Sequence, residues 1–240
     1  MNSSRIPVNL YQNSFLMDKR EFKNKVYTVF ADLAKALANP HRLEIIDLLG
    51  QTERSVEDIA LETGMSIANA SQHLQVLKQS NLVKLRRDGN FIFYRLANDN
   101  VYRSWKDLRG MGLENIAEIE ETIRDFRTKK SSFEPVRINE LLRRIESGNI
   151  ILLDVRPEIE YKAGHIPNAI NIPIDQLSRR IHELKKSKQY IAYCRGPFCV
   201  FADDAVQILT KFGFKIKRLE EGFPDWKILG LPVERVLEPA

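Results

Sequence analysis

Cysteine is scarce in this chain of 240 residues: there are two, Cys194 and Cys199, both in one short stretch. Thiols so close together cannot staple distant parts of a fold, so a disulfide framework is excluded and a reactive dithiol in a reducing compartment fits better. Long apolar runs are missing as well. No segment approaches the ~20 residues needed to cross a bilayer, and the N-terminus lacks the basic start, apolar centre and small-residue cleavage site of a secretory leader. A cytoplasmic protein with no membrane partner is therefore expected. There is no internal repeat and no low-complexity tract. Neither sign of charge dominates, with 37 basic against 32 acidic residues and a net charge of +5, a mild excess compatible with a nucleic-acid partner.

What is present is a soluble-type composition, 43% hydrophobic and 29% charged, at a length that suits two modules. Residues 1–17 lack helical periodicity and read as an arm. Phe22, Val26, Val29, Phe30, Leu33 and Leu37 then recur at helical spacing up to Asn39-Pro40, and a second helix runs from Pro40 to Leu49. Ser55 and Asp58 form a capping-box pattern for a helix closed by Gly64, and Ser66 caps the next helix, Ile67 to Gln79. Two helices joined by a tight glycine-containing turn make a helix-turn-helix. Leu82 to Arg87 and Phe91 to Leu96, separated by Asp88-Gly89-Asn90, predict a two-stranded wing. From Asp99 to about Arg127 helical spacing resumes, with Gly110-Met111-Gly112 expected to bend or break it. A helix of that length needs a partner, which predicts a homodimer.

Residues 128–134 read as a linker. After it, short apolar runs at Ile150–Val155 and Tyr190–Tyr193, and a strand at Lys215–Leu219, alternate with helical segments. That alternation predicts a parallel α/β sheet over residues 135–240, following a mainly α winged helix-turn-helix over 18–127.

The second helix of a winged helix-turn-helix enters the major groove, where Asn and Gln read base edges and Ser meets bases or phosphates. Ser66, Asn69, Ser71, Gln72 and His73 occupy the front of that helix, with Lys78 near its end. Arg86, Arg87, Asn90 and Arg95 surround the wing tip, where cations would neutralise phosphates. From Lys78 to Arg109 eight basic residues face three acidic ones, which accounts for the whole net charge. Any one of these side chains serves equally well as solvated decoration; together they point to nucleic acid. The partner they imply is double-stranded operator DNA.

The stretch Ala36-Leu37-Ala38-Asn39-Pro40-His41-Arg42-Leu43, together with Ser71-Gln72-His73-Leu74-Gln75-Val76-Leu77 and a Gly89 wing running into Tyr94-Arg95-Leu96, resembles the ArsR family of dimeric repressors. That family often senses metals through a Cys-x-Cys before the recognition helix or through His and acidic residues on the C-terminal helix. Here Ser55-Val56-Glu57 stands in the first place and no histidine lies between His73 and His165, so neither a metal nor a cofactor is expected.

In the second half, Leu153-Asp154-Val155-Arg156 ends a strand, Gly164-His165-Ile166-Pro167 follows, and strand Tyr190–Tyr193 delivers Cys194 onto the loop Arg195-Gly196-Pro197-Phe198-Cys199. A thiol at a strand end, facing a helix N-terminus, sits in an anion cradle that favours thiolate; Arg195, Gly196, Phe198, Cys199 and Val200 would line it. Arg195 is expected to lower the thiol further. The arrangement resembles the rhodanese superfamily from about Glu134 to Leu231. The resemblance implies that Cys194 carries sulfane sulfur as a persulfide, and that Asp154, Arg156 and His165 are structural. A related phosphatase fold uses a Cys-x5-Arg cradle, and Val200 in the arginine's place excludes that chemistry. Two departures count against free turnover: Pro197 removes one N–H from the cradle, and Glu221 stands where the family often has glycine.

Cys199 reads either as a resolving thiol for Cys194 or as a small residue filling the helix start. Three functions stay open on these residues. One is a repressor whose dithiol senses reactive sulfur or oxidants. Another is a thiosulfate-type sulfurtransferase with DNA binding as a tether. The third is a catalytically silent interaction module.

Overall fold

The computed structural model of the chain describes residues 17–128, 135–146, 148 and 150–236. The expected arm and linker therefore fall almost entirely outside the described residues.

The first domain is built by its caps. Helix α1 (Lys19–Leu37) starts at Asp18, whose carboxylate accepts from the Arg20 N–H, and α2 (Pro40–Leu49) starts at Asn39 with proline in its first turn. Ser55 and Asp58 close a reciprocal capping box on α3 (Val56–Thr63), and Gly64 ends it at φ +68°, a left-handed conformation that glycine adopts without steric cost. Helix α4 (Ile67–Gln79) packs Ala70, Leu74 and Leu77 inward against Ile45, Ile46 and Ile59. Strands β2 (Val83–Asp88) and β3 (Phe91–Leu96) form the antiparallel wing around Gly89 at φ +57°. A two-residue strand, β1 (Arg54–Ser55), pairs with the outer edge of β3 and was not foreseen.

Helix α5 (Asp99–Asn115) runs straight through Gly110 and Gly112, and the break comes at Ile116 instead, before α6 (Ala117–Thr128). Interior glycines each cost a helix about 1 kcal/mol against alanine, too little to end one that packs against α2 and α6. Gly112 has a different use: a Cβ there would lie 3.1 Å from Ile119 Cδ1, so its absence lets α6 fold back onto α5.

The second domain is a four-stranded parallel sheet of order β5-β4-β6-β7, formed by β4 (Ile150–Asp154), β5 (Ile170–Asn171), β6 (Gln189–Tyr193) and β7 (Lys215–Arg218). Helices α7 (Ile138–Glu146), α8 (Glu158–Ala163), α9 (Ile174–Arg180), α10 (Phe201–Lys211) and α11 (Phe223–Ile228) cover it. Leu153, Ala192, Val206 and Leu209 fill one face, while Leu141, Ile191, Tyr193 and Trp226 fill the other. Parallel sheets need both faces covered, which is why the strands read as continuous apolar runs.

The domains are joined by charge as well as by chain. Arg109 on α5 reaches Asp225 on α11 at 2.6 Å, and Lys227 reaches Asp99 at 3.0 Å. The face of α5 for which the sequence demanded a partner is thus partly met within the same chain. Among the described residues no helix is long and apolar enough to cross a membrane.

Candidate functional site

Strand β6 ends at Tyr193 and places Cys194 beneath the turn into α10, with 3% of its surface exposed. The loop is held from behind. The Phe223 N–H donates to the Cys194 carbonyl at 3.1 Å, and Gly222 lies directly on the Arg195 and Gly196 backbone, leaving no room for a Cβ. Glycine is required there for space, since its φ of −109° suits any residue.

Burial works against ionisation of Cys194, but hydrogen bonding with the Cys199 thiol and with the Gly196 and Ala202 backbone outweighs it, and the thiol is lowered below the usual range. Asp203 opposes the shift. Cys199 moves the other way, first because its hydrogen bond to Cys194 holds the proton on it, then because it is buried, and it lies well above an ordinary thiol. The two thiols are coupled, and Cys194 is the more acidic of the pair.

The cradle differs from expectation in its parts. Gly196 faces the sulfur, and so does Ala202, which lies beyond the expected cradle. The Cys199 N–H is used within the loop, donating to the Gly196 carbonyl at 3.1 Å. Phe198 is exposed at the loop tip, and Val200 heads α10 without a side-chain cap. The expected role of Arg195 is corrected. Its guanidinium turns away from the sulfur and donates to Glu160 on α8 at 2.9 Å and to Glu62 on α3 at 2.7 Å. Arg218, held to Asp203 at 3.2 Å, is the arginine that interacts electrostatically with the Cys194 sulfur.

Asp154, Arg156 and His165 form a scaffold behind the loop. Arg156 is completely buried, donates to Asp154 at 2.5 Å and to the Gly164 carbonyl at 2.9 Å, and lies over the Phe223 ring at 4.3 Å. The His165 ring stacks on Tyr161 at 3.7 Å, with its Nδ1 2.8 Å from the Tyr161 carbonyl oxygen.

Three elements of the first domain grip the cysteine loop. Glu62 does so through Arg195. Gln51 donates to the Arg195 carbonyl at 3.1 Å while accepting from Arg156 at 3.2 Å. Arg127 on α6 donates to the Pro197 carbonyl and stands 3.5 Å from Asp203. None of Gln51, Glu62 or Arg127 was singled out from the sequence, because nothing local marks a side chain whose partner is in another domain; Glu160 was noted only beside Tyr161, after the Asp154–Arg156 strand end, and Arg218 not at all. Asp203 carried one signal: it is an acid at the buried start of α10, beside Ala202, Ala205 and Val206.

The residues expected to read DNA lie on or beside α4 and on the wing. Gln72 and Ser66 are exposed, while Asn69, Ser71 and His73 are half-buried. The Ser66 hydroxyl accepts from the Asn69 N–H at 3.2 Å as the cap of α4, which leaves its own proton to donate outward. His73 packs 5.4 Å from the His41 ring, and burial, then His41 and Arg42, lower its pKa. Lys78, Arg87, Asn90 and Arg95 are exposed. Arg86 corrects the expectation of a free phosphate-directed cation: it pairs with Glu53 at 2.7 Å and Asp88 at 2.9 Å and lies over Phe93. Arg109, counted in the basic segment, is buried against Asp225 and adds nothing to this face.

A winged helix-turn-helix joined to a sheet domain that carries a dithiol at a strand end defines a DNA-binding regulator with a rhodanese-like module. The comparisons agree. Residues 37–86 match a helix-turn-helix domain and residues 138–229 a rhodanese-like domain. The chain is 46% identical over 204 residues to HTH-type transcriptional regulator Rv0324 of Mycobacterium tuberculosis, covering 85% of this chain and 89% of that one. It thus belongs to the ArsR-type helix-turn-helix transcriptional regulators, in the form that carries a C-terminal rhodanese-like domain. Among solved structures, the homodimeric winged helix-turn-helix domain of a possible ArsR-family regulator from Mycobacterium bovis is 42% identical, covers 39% of this chain and 87% of that one, and has a TM-score of 0.38. A rhodanese-related protein from Thermoplasma volcanium is 30% identical, covers 42% and 98%, and has a TM-score of 0.39.

Proposed function

We propose that this transcriptional regulator is a cytoplasmic homodimeric repressor whose rhodanese-like domain senses reactive sulfur or redox state through Cys194 and Cys199. The observation that carries the reading is the Arg195–Glu62 ion pair. Arg195 follows the reactive cysteine, and Glu62 is one residue before the end of α3, on the helix that leads through Gly64 into α4. A change of shape in the loop thereby bears on the helix that positions the recognition helix.

The chemistry balances without an outside catalyst. The Cys194 thiolate attacks the outer sulfur of a persulfide donor, R–S–SH, and a Cys194 persulfide forms as R–S⁻ leaves and takes the proton. Cys199 then attacks the inner sulfur; a Cys194–Cys199 disulfide forms and HS⁻ departs. The Gly196–Cys199 turn must reshape to accommodate that bond. A switch of this kind needs a coupling of about 1–3 kcal/mol between loop and DNA site.

The test is a gel shift of the full-length protein on its own promoter DNA, reduced and after polysulfide treatment, beside Cys194→Ser and Cys199→Ser. Release of DNA by wild type and retention by both variants is the expected result. Equal retention by all three under both conditions would refute sensing.

The lowered Cys194 thiol also favours a second reading, a sulfurtransferase tethered to DNA. Against it, the first domain covers the cysteine loop and leaves Cys194 almost without surface for a large acceptor. Thiosulfate-to-cyanide turnover that is lost in Cys194→Ser and indifferent to DNA would support that alternative.

A further inference from the structure

Between the two domains lies a cavity of about 570 Å³. Its size falls in the range of small-molecule sites, which lie preferentially at domain interfaces. Cys199 is on its wall and Cys194 is not. Any reagent that approaches the dithiol through this space therefore meets Cys199 first.

The lining selects among reagents. Leu43 and Trp105 of the first domain face Phe198 and Phe201 of the second, with Trp105 and Phe198 rings 6.4 Å apart. The charged groups on the wall are Glu44, Asp47, Glu62 and Arg195. Arg195 is neutralised by Glu62 and Glu160, and Asp47 is hydrogen-bonded to the Trp105 indole at 2.9 Å. Among the described residues the one cation on the wall is thus already paired, and the walls offer an anion no free positive charge. A small apolar molecule is matched; thiosulfate, a dianion, is repelled.

We propose that this interdomain cavity binds the signal itself, and that the signal is an uncharged, apolar sulfane-sulfur compound of the dialkyl polysulfide class, which reacts first at Cys199. The proposal rests on the sensor reading above and, for this class of donor, reverses the order of attack given there, because Cys199 and not Cys194 is on the cavity wall. With a dialkyl trisulfide, R–S–S–S–R, the Cys199 proton passes to Cys194 and the Cys199 thiolate attacks an outer sulfur. A Cys199–S–S–R bond forms, and R–S–S⁻ leaves and takes the proton from Cys194. The Cys194 thiolate then attacks Cys199, closing the disulfide and releasing R–S⁻. The dithiol is oxidised, the trisulfide is reduced, and no further reactant is needed.

The experiment uses the full-length dimer and three probes, diallyl trisulfide, thiosulfate and hydrogen peroxide, with mass spectrometry following modification of the dithiol. Leu43→Trp fills the cavity; Glu44→Lys reverses one wall charge at an exposed position and should not disturb folding. The proposal expects Leu43→Trp to slow the trisulfide by about tenfold while peroxide reacts at the wild-type rate. It expects Glu44→Lys to speed thiosulfate by about tenfold. If trisulfide is unaffected by Leu43→Trp and thiosulfate by Glu44→Lys, while peroxide or trisulfide still releases DNA, the cavity proposal is wrong and the sensor reading survives. Modification that never releases DNA removes the sensor reading itself.

Discussion

Arg54 of β1 and Glu160 of α8 form a buried ion pair across the domain boundary, and the same carboxylate accepts from Arg195 at 2.9 Å. Glu160 is wholly inaccessible to solvent and Arg54 nearly so. Removing one partner of a buried pair leaves an uncompensated charge and costs about 3–5 kcal/mol, whereas an exposed pair contributes little. Here one carboxylate serves two arginines from two domains. Glu160→Gln should therefore separate the domains before it unfolds either. In scanning calorimetry a single wild-type transition is expected to split in two, with the first shifted down; one unsplit transition at the wild-type temperature would show that the boundary does not depend on this residue.

The reading face and the wing should fail differently when cut. Gln72 is exposed on α4, and Arg87 on β2 is exposed with no ion-pair partner among the described residues. Gln72→Ala is expected to lose about 1–3 kcal/mol on operator DNA and almost nothing on random DNA. Arg87→Ala should weaken both and reduce the salt slope by about one. Arg86→Ala, whose charge is already met by Glu53 and Asp88, should change the slope less than Arg87→Ala. Fluorescence anisotropy across a salt series measures all three, and equal loss on both DNAs for Gln72→Ala would take it out of base readout.

Local chemistry was legible in the sequence and distant chemistry was not. The capping box of Ser55 and Asp58, the stop at Gly64 and the wing around Gly89 depend on residues within a few positions of one another, so pattern alone placed them. The parallel sheet followed from its apolar runs. The break at Ile116 was misplaced because the glycines before it looked like breakers, while the packing of Gly112 on Ile119 depends on a fold not yet known. Arg195 was assigned to the thiol because the two are adjacent in sequence. Its actual partner Glu62 is 133 positions away, and successive residues leaving a strand point in opposite directions.

Ultraviolet absorbance of thiolate against pH should resolve two steps in the wild-type protein. Cys194 is lowered, so its thiolate appears below the ordinary thiol range, and Cys199 is raised, so the second step comes well above it. Replacing Cys199 by alanine removes a hydrogen bond that stabilises the Cys194 thiolate while leaving the thiol buried. The remaining step should then move upward, toward and past the usual value, because burial is no longer outweighed to the same extent. A single wild-type step that Cys199→Ala leaves in place would mean that the two thiols are not coupled.

The first helix carries the clearest unfinished surface. On α1 the row Phe22, Val29, Phe30 and Leu33 is exposed, with Phe30 at 62%, and Ala36 alone on the helix is buried. An apolar row of this length is seldom left to water in a monomer. A second copy of α1 would cover it, and a two-fold dimer would also present two recognition helices to half-sites one helical turn apart. Phe30→Glu places two like charges near the dimer axis without touching the core of either domain. The expected result is a folded monomer by sedimentation, with unchanged circular dichroism and operator affinity reduced by at least about tenfold, since each half-site then binds alone. A variant that sediments as a dimer would move the interface away from α1, and one that is monomeric yet binds operator at full affinity would show that a single recognition helix suffices.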